Sequence, residues 1–184
     1  MKTNRVSAIK RLPWEWGPRV QPARPLPHGV PSGATLATRS VTTSAPRESL
    51  YLWLCQLRRA PFSYDLLDNF GRRSPRTADP AMTEVEPGDS FMDIFTLIDL
   101  EPGRSLTLHL KPSRPVRVFG PIVVQYRIDP LSSGQNQLSG LLWLPPVGRL
   151  LPRLRRRALA WGDLIMMRKQ LLTLTRLAQR QPLA

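Results

Sequence analysis

The sequence predicts an α+β fold, a curved antiparallel β-sheet covered on one face by a long C-terminal α-helix. Two observations carry this reading. The middle of the chain holds several short β-branched and apolar segments separated by turn residues, with none of the intervening helices that a parallel sheet would need. The segment from Leu150 to Ala178 then has helical periodicity, with Leu164, Met167, Leu171, Leu174 and Ala178 at steps of three and four and Trp161, Ile165 and Leu172 beside them. The resulting stripe, with adjacent Met166 and Met167 near its start, is wide enough to cover a sheet rather than one partner helix.

Taken in order, residues 1–33 contain Pro13, Pro18, Pro22, Pro25, Pro27 and Pro31, which exclude a long helix or a central strand. Trp14 and Trp16 suit a segment that packs on the body. The expectation is a proline-rich basic N-terminal arm over 1–33, partly ordered with its first dozen residues mobile, followed by one domain over 34–181. Residues 34–43 are β-branched and read as the first strand, with Leu36, Thr38, Ser40 and Thr42 opposing Thr35, Ala37, Arg39 and Val41. Pro46 suits a first helical turn and Glu48 its positive end, and Leu50, Trp53, Leu54 and Leu57 share one face through residue 58. Residues 60–81 read as a loop with room for a short helix, broken at Gly71 and Pro75, and Pro87-Gly88-Asp89 marks a turn. Strands at 90–100 and 105–111 flank the turn Glu101–Arg104. In the strand at 117–128, Ile122, Val124, Tyr126 and Ile128 alternate with Val123, Gln125 and Arg127. Residues 136–144 return after a turn at 132–134, and Pro145-Pro146 ends the sheet.

The 184 residues, 41% of them hydrophobic, suffice for one core. The net charge of +14, from 27 basic and 13 acidic residues, raises nucleic acid or an anionic membrane as partners. The basic residues are spread along the chain without a nucleic-acid motif, so no nucleic acid is expected. Between Arg149 and Arg157 arginines interleave with leucines before the amphipathic helix, and Arg153–Arg157 could touch an anionic membrane. The single cysteine, Cys55, excludes an internal disulfide and a multi-cysteine metal site, and inside an apolar helix it reads as a buried inert thiol. His28 and His109 have no partner at ligand spacing, so neither metal nor cofactor is expected. Ser139-Gly140 lacks a nucleophile elbow, and no glycine-rich phosphate loop is present. Without a signal-like apolar segment or a membrane-length run, a soluble cytoplasmic protein is expected.

Several segments resemble a known family. They are Trp53-Leu54-Cys55-Gln56-Leu57, Ala60-Pro61-Phe62-Ser63-Tyr64-Asp65, Asp68-Asn69-Phe70-Gly71-Arg72-Arg73-Ser74-Pro75, and the run Trp161–Leu171, with Trp16-Gly17 and Pro25-Leu26-Pro27 in the arm. Over about residues 16–180 the chain resembles a bacterial branch of the START-like superfamily, also called SRPBCC or polyketide cyclase/dehydrase and lipid-transport proteins. The resemblance implies a helix-grip fold, and it implies no particular activity, since that superfamily spans carriers, receptors and cyclases. Many relatives have Tyr where this chain has Phe62 and Trp where it has Leu66.

The expected ligand site is an apolar cavity between sheet and helix, with wall residues Phe95, Leu97, Leu108, Tyr126, Trp143, Met167 and Leu171. Tyr64, Asp65, Asn69 and Arg72 of the 63–75 loop could orient a polar head group at its mouth, although the same residues are ordinary turn chemistry. Gly162-Asp163 reads as a helix break or a close approach to a strand, with Asp163 facing the cavity or pairing with Arg168. Three functions follow in order: binding of a small hydrophobic molecule such as a lipid or polyketide-like metabolite; a cyclase- or dehydratase-like enzyme using Tyr64, Asp65 or His109; and an interaction protein with a collapsed pocket.

Overall fold

The computed structural model describes residues 12–22, 25–63, 73–112, 120–146 and 152–181. The strands are β1 (Glu15–Trp16), β2 (Thr35–Thr43), β3 (Ser90–Phe91), β4 (Phe95–Glu101), β5 (Ser105–Leu110), β6 (Val123–Pro130) and β7 (Asn136–Leu144). They form one seven-stranded sheet in the order β1-β2-β7-β6-β5-β4-β3. Only the short β1 runs parallel to its neighbour, and every other pairing is antiparallel. Helix α1 (Arg47–Cys55) follows β2, and helix α2 (Pro152–Arg180) closes the described chain. A register shift between Leu97 and Asp99 interrupts the β4–β5 ladder, a device that bends a strand.

Strand parity decides the two faces. Ala37 on β2, Leu106 and Leu108 on β5, Val124, Tyr126 and Ile128 on β6, and Leu138 and Leu142 on β7 enter one core with α1 and α2. Trp53 of α1 is fully buried there, edge-on to Phe62 at 5.7 Å between ring centroids. From α2, Met167, Leu171, Leu174 and Ala178 join the same core. The opposite face is also covered. Val123, Leu141 and Trp143 form a second cluster with Val20, flanked by Val30, Ala34 and Leu36. The N-terminal segment is thus laid over the back of the sheet, and Gly17 is required at its contact with β2: at φ +87° an added Cβ would meet the Ser40 carbonyl oxygen.

The strand expected over 90–100 is two strands. Met92 and Asp93 adopt positive φ (47° and 60°), and the Met92 N–H donates to Leu57 O (2.9 Å) instead of continuing the ladder. This break turns Met92 and Ile94 toward the space under α2. The strand expected from 117 begins at Val123, and residues 113–119 lie outside the described residues. The first helix ends in a 3-10 turn, Gln56–Arg58, and a second 3-10 turn, Pro80–Thr83, is capped by the Asp79 carboxylate accepting from Ala81 N–H.

Helix α2 runs unbroken through Gly162, against the expected break or close approach. An added Cβ there would meet nothing within 4 Å. The apolar stripe is also narrower than its periodicity suggested. Trp161 (42% exposed) and Ile165 (54%) face outward, together with Leu154 (62%). No helix among the described residues is long and apolar enough to cross a membrane.

Candidate functional site

Helix α2 does not seal the sheet along its whole length. Its first half stands over an open cavity of about 780 Å³. The sheet supplies Phe95, Val124, Tyr126, Leu142 and Leu144, and the break before β4 supplies Met92 and Ile94. The helix supplies Arg155, Ala158, Leu159, Gly162, Asp163, Met166, Met167 and Gln170. The spacing 155, 159, 162, 166 and 170 is one helical face, so a single stripe of α2 forms the roof. Gly140 on β7 lets the roof approach, since a Cβ there would come within 2.4 Å of Met167 Sδ.

The expected wall residues divide by parity. Phe95, Tyr126 and Met167 border the cavity. Leu97, Leu108 and Leu171 are fully buried in the adjoining core and do not border it. Trp143 lies on the wrong face. Leu142 and Leu144 point into the cavity, so period-two alternation turns Trp143 back against the N-terminal segment. His109 fails for the same reason, with Leu108 facing the core and the imidazole beside Gly29 on the outer face. Tyr64, Asp65, Asn69 and Arg72 lie outside the described residues.

The sequence reading missed the polar core of the site. Arg39 is fully buried at the centre of β2, on the same face as Ala37. Its Nη1 donates to Trp14 O and Thr38 O (both 3.0 Å) and its Nη2 to Ala160 O (3.1 Å). Asp163, one turn along α2, brings Oδ2 to 3.1 Å from the same Nη2. Nη2 thus donates to the Ala160 carbonyl and forms an ion pair with the Asp163 carboxylate. Asp163 therefore pairs with Arg39 rather than Arg168, whose guanidinium sits 5.4 Å from the Trp16 ring centre. A lone arginine at an inward position of the first strand was the available signal.

Electrostatics follow from this burial. Desolvation pushes the Asp163 carboxyl up to about 6, outweighing the opposing pull of Arg39. Burial lowers the Arg39 guanidinium from its ordinary value, with Asp163 acting against the shift. Burial, and then the Asp163 charge, raise the Tyr126 phenol. The Tyr126 hydroxyl donates to Gln170 Oε1 (2.6 Å), and Gln170 Nε2 donates to Pro61 O (2.6 Å). Away from the cavity, burial pushes the Cys55 thiol up to about 12, which suits an inert core residue. Among the described residues, no cluster of three His, Cys, Asp or Glu side chains could hold a metal ion.

A curved, mostly antiparallel sheet gripping a long C-terminal helix, with a cavity between them, is a helix-grip fold. No family model and no curated protein matches the chain. Among solved structures it is similar to the ZhuI aromatase/cyclase from Streptomyces sp. R1128, at 17% identity over 82% of this chain and 97% of that one, with a TM-score of 0.50. It is also similar to the di-domain aromatase/cyclase StfQ of the steffimycin biosynthetic pathway, at 13% identity over 80% of this chain and 51% of that one, again with a TM-score of 0.50. At these identities the likeness is one of fold.

Proposed function

We propose that the protein binds a small, largely hydrophobic molecule in the cavity between the sheet and the first half of α2. One observation carries the reading: an open space of about 780 Å³ walled mainly by Phe95, Ile122, Val124, Leu142, Leu144, Leu159, Met166 and Met167. Flexible methionines beside aliphatic side chains suit an irregular apolar ligand, and a space of this size supports a container over a filled interior. Phe95, Tyr126 and Met167 are the expected ligand contacts. Native mass spectrometry of the purified protein, with thermal unfolding across a panel of lipids and polycyclic compounds, tests this. A bound apolar mass, or a rise in unfolding temperature at saturating ligand, is expected. A protein that carries nothing and is stabilised by no member of the panel would refute it.

A second reading is favoured by one specific feature, a carboxyl held near 6 inside an apolar cavity, which suits general acid–base work. Both similar structures are aromatase/cyclases by name. Conversion of a bound polyketide-like compound by the wild type, abolished in Asp163→Asn, would favour an enzyme over a carrier.

The rim of the cavity supports transient contact with an anionic membrane. Leu154, Trp161 and Ile165 lie together along one exposed edge of α2, beside the cavity-lining stripe. Arg153, Arg155 and Arg157 are exposed at the same end, whereas Arg156 is tied to Thr35 Oγ1 (2.8 Å). Each surface cation near such a membrane contributes about 1 kcal/mol. Co-sedimentation with phosphatidylcholine vesicles should therefore require added phosphatidylserine and weaken in Leu154→Ser/Ile165→Ser. Equal sedimentation with and without the anionic lipid would exclude this contact.

A further inference from the structure

The hydrogen bonds around the cavity determine which kind of polar group a ligand can present there, provided the cavity binds one as proposed above. Gln170 is the reference point. Its Nε2 donates to Pro61 O, a carbonyl that can only accept, so its Oε1 must be the atom facing Tyr126. The Tyr126 hydroxyl must then spend its only proton on Gln170, which leaves its oxygen able only to accept, and Tyr126 borders the cavity. The second Gln170 N–H contact goes to Met92 Sδ (3.4 Å). Ser63, at the same wall, is already partnered.

Asp163 adds a second acceptor. Its Oδ2 is buried toward Arg39, while the side chain keeps 18% exposure and borders the cavity, which leaves Oδ1 as the reachable oxygen. Arg39 offers no compensating donor to the cavity. It does not border the cavity: its Nη groups are directed at the carbonyls of Trp14, Thr38 and Ala160, and its Nε, which has no hydrogen-bond partner, is buried away from the cavity surface. Arg39 acts through Asp163 as a positioning residue, fixing the carboxylate against the roof. Two acceptors thus stand on a mostly apolar wall, where the uncharged polar side chains Ser63 and Gln170 are already engaged. The one cation bordering the cavity among the described residues, Arg155, lies eight residues away on α2, about 12 Å along the helix.

We infer that the ligand carries a hydrogen-bond donor, a hydroxyl or phenol, at the end that enters the cavity beside Asp163 and Tyr126, and that its single proton goes to the Asp163 carboxylate, with the Tyr126 oxygen as the alternative acceptor. A ligand oxygen that cannot donate would face two lone-pair-bearing groups and leave both unsatisfied, a loss of the kind that distinguishes substrates strongly in buried sites. An acid-headed ligand is excluded from this end and could enter only with its carboxylate toward Arg155.

The test compares 1-pyrenebutanol with its methyl ether, two probes with one apolar body and the same oxygen, differing in the donor. A carboxylate probe is avoided because Arg155 could hold it in reverse. Fluorescence titration of the full chain should give at least tenfold tighter binding of the alcohol. In Asp163→Asn the preference should shrink to about twofold, since the amide can donate to the ether oxygen. Tyr126→Phe, which removes only the alternative acceptor, should weaken the alcohol less than Asp163→Asn does and should not weaken the ether. Because Asp163→Asn leaves a buried arginine, Arg39→Gln/Asp163→Asn is measured beside it, and a matching loss of preference in that charge-free variant is expected. Equal affinities of alcohol and ether for the wild type would overturn the inference while the cavity reading stands. Binding of neither probe would overturn both.

Discussion

Arg39→Met should destabilise the protein by about 3–5 kcal/mol, read as a shift in the urea unfolding midpoint at constant slope. The substitution leaves the Asp163 carboxyl without its cation and removes the arginine N–H groups from the carbonyls of Trp14, Thr38 and Ala160, of which Trp14 O keeps the Thr38 N–H at 2.7 Å. Those carbonyls belong to the segment before β1, to β2 and to α2, so the loss loosens the sheet edge and the cavity roof together. The paired variant Arg39→Met/Asp163→Leu should recover most of the loss, because replacing a buried ion pair whole is often neutral. A single variant as stable as wild type would show that the pair contributes nothing. The same carboxyl has a pH signature. It titrates at about 6 when folded against a usual 3.8, so the folded chain takes up its proton first as pH falls. Relative to Asp163→Asn, wild-type stability should rise between pH of about 6 and about 4 on acidification, by up to about 1.4 kcal/mol per unit, and be lost as pH rises through that window. Parallel stability curves for the two proteins would contradict this.

Gly162→Phe should weaken ligand binding strongly without harming the fold. Gly162 borders the cavity at the middle of its roof, and a Cβ there meets no atom within 4 Å. Gly162 is exposed at the open side of the cavity, so an aromatic ring there can lie across the mouth as well as toward solvent, and it obstructs entry from the first of these positions. Helix propensity favours Phe over Gly by a few tenths of a kcal/mol, so the unfolding temperature should hold or rise. Affinity for an apolar probe should fall about 100-fold, the equivalent of about 2.7 kcal/mol. Loss of stability with unchanged affinity would place the ligand elsewhere. The contrast with Arg39→Met is informative, because one variant removes stability and the other removes space.

Much of the architecture was legible because secondary-structure periods are local. The residues 35–43 and 136–144 announce strands by β-branching and turn boundaries, and the steps of three and four through Leu164, Met167, Leu171 and Leu174 announce the helix. The break at Met92–Ile94 was hard to read, since Phe91, Met92, Ile94, Phe95 and Leu97 keep the segment largely apolar and its positive-φ turn carries no glycine, only Asp93 as a residue that tolerates the left-handed region. The cavity wall was legible in part, with Leu97, Leu108 and Leu171 placed in the core beside it. Phe95, Tyr126 and Met167 border the space, but Trp143 does not. Leu141–Leu144 is an unbroken apolar run because both faces of β7 are covered, one by the core and cavity and the other by the N-terminal segment. Where both faces are apolar, alternation vanishes and parity cannot be assigned from the strand alone.

By itself, then, the sequence determined the order and kinds of elements, and with them the sheet closed by a terminal helix, because those depend on patterns a few residues long. Tertiary structure alone decided which side of each strand meets the cavity and that Arg39 and Asp163, 124 positions apart, meet as the site's buried charges. The physical reason is that an ion pair and a cavity are properties of packed surfaces. The strand sets the direction of Arg39 and the helix that of Asp163, and only their docking brings Nη2 and Oδ2 to 3.1 Å.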